Sequence, residues 1–303
     1  MLFRSGSADI AGARARARAA AARLERVLAQ TPAVADAGGQ APPATPVPEL
    51  ALSRVGASWT PAPTGATAYP DSAEPTRTEG ERLHLAPLDL RLSPGDRVAL
   101  TGPNGAGKST ALAVLARHLD PATGTYAHDG TDVLHLDLEQ TRARLAVVDD
   151  EPHAFAGSVR ANLVLAAPEA DDDQLVAALD AVDLGHWFDT LPEGLDTMLT
   201  GLSGGERARL SIARALVSGR PVVLLDEPTA HLDDATAERA LAGLMSAGGG
   251  AERTFVMVSH RAGDPDGWQV VEVGGEGAAE GTVGADAHGR SRTSAVEAAA
   301  SRP

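Results

Sequence analysis

The chain has 303 residues, 43% of them hydrophobic and 22% charged, with a net charge of −15 and a pI near 5.0. That is enough apolar content for one large domain or two modest ones, while the acidity argues against nucleic acid as the main partner, because a phosphate backbone needs a basic face. With no cysteine, disulfides and thiolate metal sites are excluded, and no apolar run approaches the roughly 20 residues of a membrane-spanning helix.

In chain order, residues 7–30 are rich in Ala and carry arginines at positions 14, 16, 18, 23 and 26. Both residue types favour a helix, and Thr31-Pro32 ends it. The acid-poor stretch from Ala11 to Arg26 superficially resembles a mitochondrial transit peptide, but a simple amphipathic or solvated helix explains the same composition and is the favoured reading. Residues 32–48, rich in Pro, Ala and Gly, read as a linker. A strand is expected at Glu49–Val55, followed by Trp59 and a Pro/Thr/Gly-rich loop over 60–80. Leu83, Leu85, Leu88, Leu90 and Leu92 then alternate into Ser93-Pro94-Gly95-Asp96, the pattern of a hairpin and its turn.

From Arg97 the pattern alternates strands with helices, as in an α/β sheet. Strands are predicted at Arg97–Thr101, Arg144–Val148, Val222–Asp226 and Thr254–Ser259. Helices are predicted at Lys108–Leu119, Ser158–Leu165, Asp172–Val182, Gly204–Val217 and Ala235–Ser246. A helical insert therefore separates the strand at 144 from the strand at 222. The tail from about Gly274 has the composition of a disordered segment.

Three motifs carry chemistry. Between the first strand and helix of this series lies GPNGAGKST, which fits G-x-x-x-x-G-K-[ST] at Gly102, Gly107, Lys108 and Ser109. Gly102, Gly105 and Gly107 let the backbone curl and turn its amides toward an anion, and the helix behind adds its positive dipole end. Lys108 can reach β- and γ-phosphates, Ser109 can ligate Mg²⁺, and Thr110 is placed for a further phosphate contact. Next, Leu202-Ser203-Gly204-Gly205-Glu206 opens a helix with Ser203 as N-cap. Its glycines leave the helix N-terminus open to an anion, although Ser203 and Glu206 also have ordinary capping-box spacing. Last, the apolar strand at 222–225 ends in Asp226 and Glu227. An aspartate there can help hold Mg²⁺, and the glutamate can polarise an attacking water.

Together with Val258-Ser259-His260, this order of motifs resembles the nucleotide-binding domain of an ABC transporter, over roughly Glu49 to Val273. The resemblance implies a P-loop NTPase (RecA-like) α/β core, an antiparallel β subdomain, an α-helical signature subdomain and an N-terminal helix. It implies residues 1–48 as a helical extension, 49–273 as the ATP-binding domain and 274–303 as a tail. It further implies ATP and Mg²⁺ as ligands, and an ATPase at the cytoplasmic face of the cell membrane. Two domains would sandwich two ATP molecules head to tail, so that Gly102, Asn104, Gly105, Gly107, Lys108, Ser109 and Thr110 serve one ATP while Ser203, Gly204 and Gly205 serve the partner's. Glu227 would be the general base and His260 a γ-phosphate contact. Trp59 would stack on adenine, a surface Trp in a turn being the alternative.

Two features depart from that family. The strand LAVVDDEPHAF carries Asp150 where a glutamine is usual; a carboxylate still suits Mg²⁺, so altered turnover with retained ATP binding is expected. Only Met198–Gly201 separate the LPEGLDT segment (Leu191–Thr197) from LSGGE, which shortens a stretch that touches membrane-domain loops. LPEGLDT and SVRANL are similar to exporter-type domains, and DEPTAHLD and DDEPHAF to the paired thiol exporters of CydD and CydC type that serve cytochrome bd assembly. On that resemblance the partner is a second, different ATP-binding domain. The membrane helices would belong to a preceding part of a longer subunit, with residues 1–48 the extension of the last one. A stand-alone ATP-binding subunit on a separate permease is the alternative. A soluble ABC ATPase acting on nucleic acid or ribosomes fits the acidity and the single motif set less well.

Overall fold

The computed structural model describes residues 14, 17–25, 32–36, 38–59, 83–246, 253–259 and 267–274. Residues 17–25 are helical and exposed (α1); the rest of the predicted 7–30 helix other than Arg14, the loop at 60–80 and the tail beyond 274 lie outside the described residues.

Two sheets organise the chain. The first is antiparallel, in the order β2-β1-β4-β5, from β1 (Leu50–Ala57), β2 (Leu85–Leu92), β4 (Thr123–His128) and β5 (Thr131–Asp132). The second is parallel, in the order β6-β7-β8-β3-β9, from β6 (Leu145–Val148), β7 (Val222–Asp226), β8 (Thr254–Val258), β3 (Arg97–Thr101) and β9 (Gln269–Glu272). The expected hairpin at 83–101 is corrected here. The turn exists, with Asp96 N–H donating to Ser93 O at 3.1 Å. Its two strands nevertheless part, β2 pairing with β1 and β3 with β8 and β9. The turn is a corner between sheets, because β8 and β9 occupy both edges of β3 and leave none for β2.

The inner strands β7 and β8 are apolar on both faces, as strands covered on both sides must be. Val222 and Leu224 of β7 face one core, shared with β1, β2 and α2 (Lys108–Leu115). Val223 and Leu225 face the other, shared with the helical insert. That insert contains α4 (Val159–Val164), α5 (Asp172–Ala181), α6 (Gly185–Asp189) and α7 (Gly204–Val217), and α8 (Asp234–Ser246) follows β7. Asp171 with Gln174, and Ser203 with Glu206, form reciprocal capping boxes that start α5 and α7. The short α3 (Leu138–Arg142), β4, β5, α6 and β9 were not predicted.

Residues 32–48, expected as a linker, contain one isolated bridge but are tied down along their length. Ala33 O accepts from Asp120 N–H at 3.0 Å, and Ala35 N–H donates to the Asp120 carboxylate at 2.7 Å. Gln40 bridges to Leu136. Arg144 donates to Pro43 O at 2.7 Å and also to Thr45 O. The segment thus lies as a strap against the domain. No helix among the described residues is long and apolar enough to cross a membrane.

Candidate functional site

A parallel sheet brings the carboxyl ends of all its strands to one edge, where ligands of α/β proteins gather. Here that edge receives Gly102–Gly107 after β3, Asp149 and Asp150 after β6, and Asp226 and Glu227 from β7. The loop after β3 needs its glycines. Gly102 has φ 133°, and a Cβ there would sit 2.4 Å from Val273 O. Gly107 has φ 100°, and its Cβ would meet His84 O at 2.5 Å. Gly105, at φ 79°, faces open space.

Gly107 is also the N-cap of α2 and supplies no side-chain cap, so the first amides of the helix keep their capacity for an anion. Lys108 is only 5% exposed and folds back over the loop, donating to Gly102 O at 2.8 Å and Pro103 O at 3.0 Å. An open cleft of about 780 Å³ lies over this loop, lined by Leu83, His84, Asn104, Gly105, Gly107, Lys108, Ser109, Thr110 and Glu227.

Asp226 lies beside that cleft. Its carboxylate hydrogen-bonds Ser109, and its pKa is raised, first by burial and then by the charges of Asp150, Glu227 and Asp149. Its Oδ1 is buried without a partner. A buried, unsatisfied carboxylate oxygen beside a serine hydroxyl is a fitting pair of donors for a hard cation such as Mg²⁺, which takes oxygen ligands and completes its shell with phosphate and water. Among the described residues no three His, Cys, Asp or Glu side chains form a metal cage. Asp149 and Asp150 are exposed. Glu227 adopts φ 44°, a left-handed conformation that costs a non-glycine residue about 1–2 kcal/mol, so the chain turns sharply as it leaves β7.

An aromatic ring stands beside the cleft, bonded to one of its lining residues. Trp59 is 51% exposed, and its indole Nε1–H donates to Thr110 Oγ1 at 3.3 Å. His84 was missed by sequence reading: it lines the cleft, yet a lone histidine before a strand has no pattern to mark it. The structure does not bring Ser203, Gly204 or Gly205 to this cleft. They open α7, where Ser203 Oγ accepts from Glu206 N–H at 3.2 Å and the Glu206 carboxylate accepts from Ser203 N–H at 2.7 Å. Gly204 packs against His231. His260 lies outside the described residues.

Residues 85–230 match the family model described as ABC transporter. The chain is 41% identical over 186 residues to the mycobactin import ATP-binding/permease protein IrtB of Mycolicibacterium thermoresistibile, covering 60% of this chain and 32% of that protein. It is 39% identical over 212 residues to the beta-(1→2)glucan export ATP-binding/permease protein NdvA of Nitrobacter winogradskyi, covering 63% and 34%. Among solved structures it resembles a bacterial Atm1-family ABC exporter with ATP bound, at TM-score 0.66 and 28% identity, covering 79% of this chain and 39% of that one. The chain thus spans about a third of the length of these relatives. Domains of this family are ATPases that use ATP with Mg²⁺. This chain carries an ATP-binding domain of the ABC transporter family.

Proposed function

We propose that residues 49–273 bind and hydrolyse ATP to drive an exporter-type transporter, at the cytoplasmic face of the membrane and paired with a second ATP-binding domain. The observation that carries this reading is the open, glycine-built cradle at the amino end of α2, with Asp226 and Glu227 at the neighbouring strand end. Gly102, Asn104, Gly105 and Gly107 offer main-chain amides to the phosphates. Lys108 releases its two carbonyl partners to meet the β- and γ-phosphates, and Thr110 adds a hydroxyl. Ser109 and Asp226 would hold Mg²⁺, with Asp150 as a further oxygen donor, and the cation would neutralise charge developing on the phosphates. Glu227 orients and deprotonates the attacking water, and His260 contacts the γ-phosphate. Trp59 stacks on the adenine.

Ser203, Gly204 and Gly205 serve the ATP of the partner domain, which fits their distance from the cleft of their own chain. Residues 1–48 would continue from a membrane-spanning part, and the partner would be a different chain. The relatives are named for both import and export, so cargo and direction rest on finer features. The DEPTAHLD and DDEPHAF tracts favour thiol export for cytochrome bd assembly; neither named relative carries that cargo.

The test of the core reading is Mg²⁺-dependent ATP hydrolysis by the chain and by Glu227→Gln. The variant should retain ATP binding and lose at least about 100-fold in turnover. Equal turnover in both would overturn the assignment of Glu227.

A further inference from the structure

The cleft has a phosphate end, built by the glycine loop, and Trp59 stands at its margin as a base end, bonded to Thr110 of the lining. One residue touches both. We propose that His84 is a positioning residue that sets the Trp59 ring to receive the nucleotide base, a proposal that rests on the nucleotide reading of the cleft given above.

The hydrogen bonds fix the roles. Trp59 N–H can only donate, and it lies 3.2 Å from His84 Nδ1. His84 Nδ1 is therefore an acceptor, and the neutral ring carries its proton on Nε2. Ser58 Oγ lies 3.2 Å from the same nitrogen and so donates as well. One ring nitrogen thus gathers the two residues that follow β1. The backbone of His84 is held in turn. Its N–H donates to Ala57 O at 2.9 Å, extending the β1–β2 pairing by one step. Its carbonyl rests where a side chain at Gly107 would have to go, 2.5 Å from the Cβ position. His84 is accordingly wedged between the last glycine of the phosphate cradle and the turn that carries the indole.

Trp59 needs such a hold. It is half-exposed, and a free surface side chain must be ordered on binding, which weakens affinity. It is anchored by the Nε1–H bond to Thr110 Oγ1 and by the main-chain bond to His84. The first tethers one edge of the ring to α2, and the second fixes the backbone from which the ring projects. Together they orient an aromatic face beside the phosphate cradle before any ligand arrives. Removing the second leaves the phosphate end intact and loosens the base end.

Two ligands separate these ends: ATP, and inorganic tripolyphosphate, each with Mg²⁺. Affinities are measured by calorimetry on the full chain, on His84→Leu, which keeps bulk without an acceptor, and on His84→Asn, whose amide oxygen can replace Nδ1. His84→Leu should weaken ATP about three- to tenfold, a fraction of a full base-stacking contact, and change tripolyphosphate by less than about twofold. His84→Asn should bring ATP back to within about twofold of the original. The proposal is overturned if His84→Leu leaves ATP binding intact, if it weakens both ligands equally, or if His84→Asn fails to rescue. Nitrogen NMR of the unaltered chain gives a check that no folding defect can disturb: Nε2 of His84 should carry the proton, and a proton on Nδ1 would overturn the assignment. If the unaltered chain bound neither ligand, the nucleotide reading would fall first and this proposal with it.

Discussion

Two glycine-flanked helix N-termini, those of α2 and α7, are built in opposite ways. At α2 the N-cap is Gly107, no side chain caps the helix, and a cleft with a buried lysine opens in front of it. At α7 the N-cap is Ser203, and Glu206 closes the terminus with a reciprocal capping box. The first leaves helix amides and a cation for an incoming anion; the second already has a carboxylate of its own in that place. A phosphate at α2 meets a prepared site, whereas one at α7 must displace or share the hold of Glu206. Sequence spacing alone suggested that both were anion sites. The capping geometry ranks them.

Gly107→Ala should produce the largest break in this contrast. The left-handed φ and the contact with His84 O together predict a loss of about 2 kcal/mol or more in stability, read as a lower midpoint in denaturant, with ATP binding lost. Gly205→Ala should be milder. Its Cβ would meet Leu232 Cδ2 at 3.2 Å and His231 O at 3.3 Å, with no left-handed φ to strain it, so a loss under about 1 kcal/mol is expected in the same assay. An equal effect at the two glycines would erase the distinction.

Ser203→Ala sharpens the comparison further. Removing the N-cap should cost about 1 kcal/mol of stability and lower steady-state hydrolysis, while the affinity of the chain for its first ATP stays within about twofold. A matching fall in affinity would mean that α7 and α2 serve one site within one chain.

A further effect, independent of both termini and confined to acid pH, lies in the antiparallel sheet. His128 is buried, its Nε2 is 2.7 Å from Tyr126 Oη, and its Nδ1 has no partner. Burial first, then the charge of Arg144, pushes its pKa down to about 4. Between the ordinary histidine value of about 6.5 and that lowered value, the unfolded chain binds a proton that the folded chain refuses. Stability therefore falls as pH falls through this window, by at most about 3 kcal/mol, and this contribution levels off below it. His128→Phe should flatten that part of the pH–stability curve; an unchanged slope would place the lability elsewhere.

These contrasts also mark where sequence was legible. The strand–loop–helix at 97–119 and the strand ending in Asp226 and Glu227 could be read because glycine spacing and unbroken apolar runs are local signals. The partner of β2 could not be, since Ser93-Pro94-Gly95-Asp96 makes the same turn whether the flanking strands pair or part. Thr123–His128 is short and largely polar, and its place beside β1 comes from non-local pairing. The strap at 32–48 looks like a linker because its anchors are main-chain atoms, such as Pro43 O facing Arg144, which leave no side-chain pattern. His84 escaped for the same reason: its meaning lies in the Trp59 N–H that it accepts.

The central claim is that the loop before α2, and not the start of α7, receives the triphosphate within one chain. A titration of ATP with Mg²⁺ against Lys108→Ala and Ser203→Ala, kept at concentrations where the chain is monomeric, tests this most directly. Lys108→Ala should lose at least about 100-fold in affinity, the loss of a buried charge-assisted contact, while Ser203→Ala stays near the original. Retention of ATP by Lys108→Ala would contradict the account.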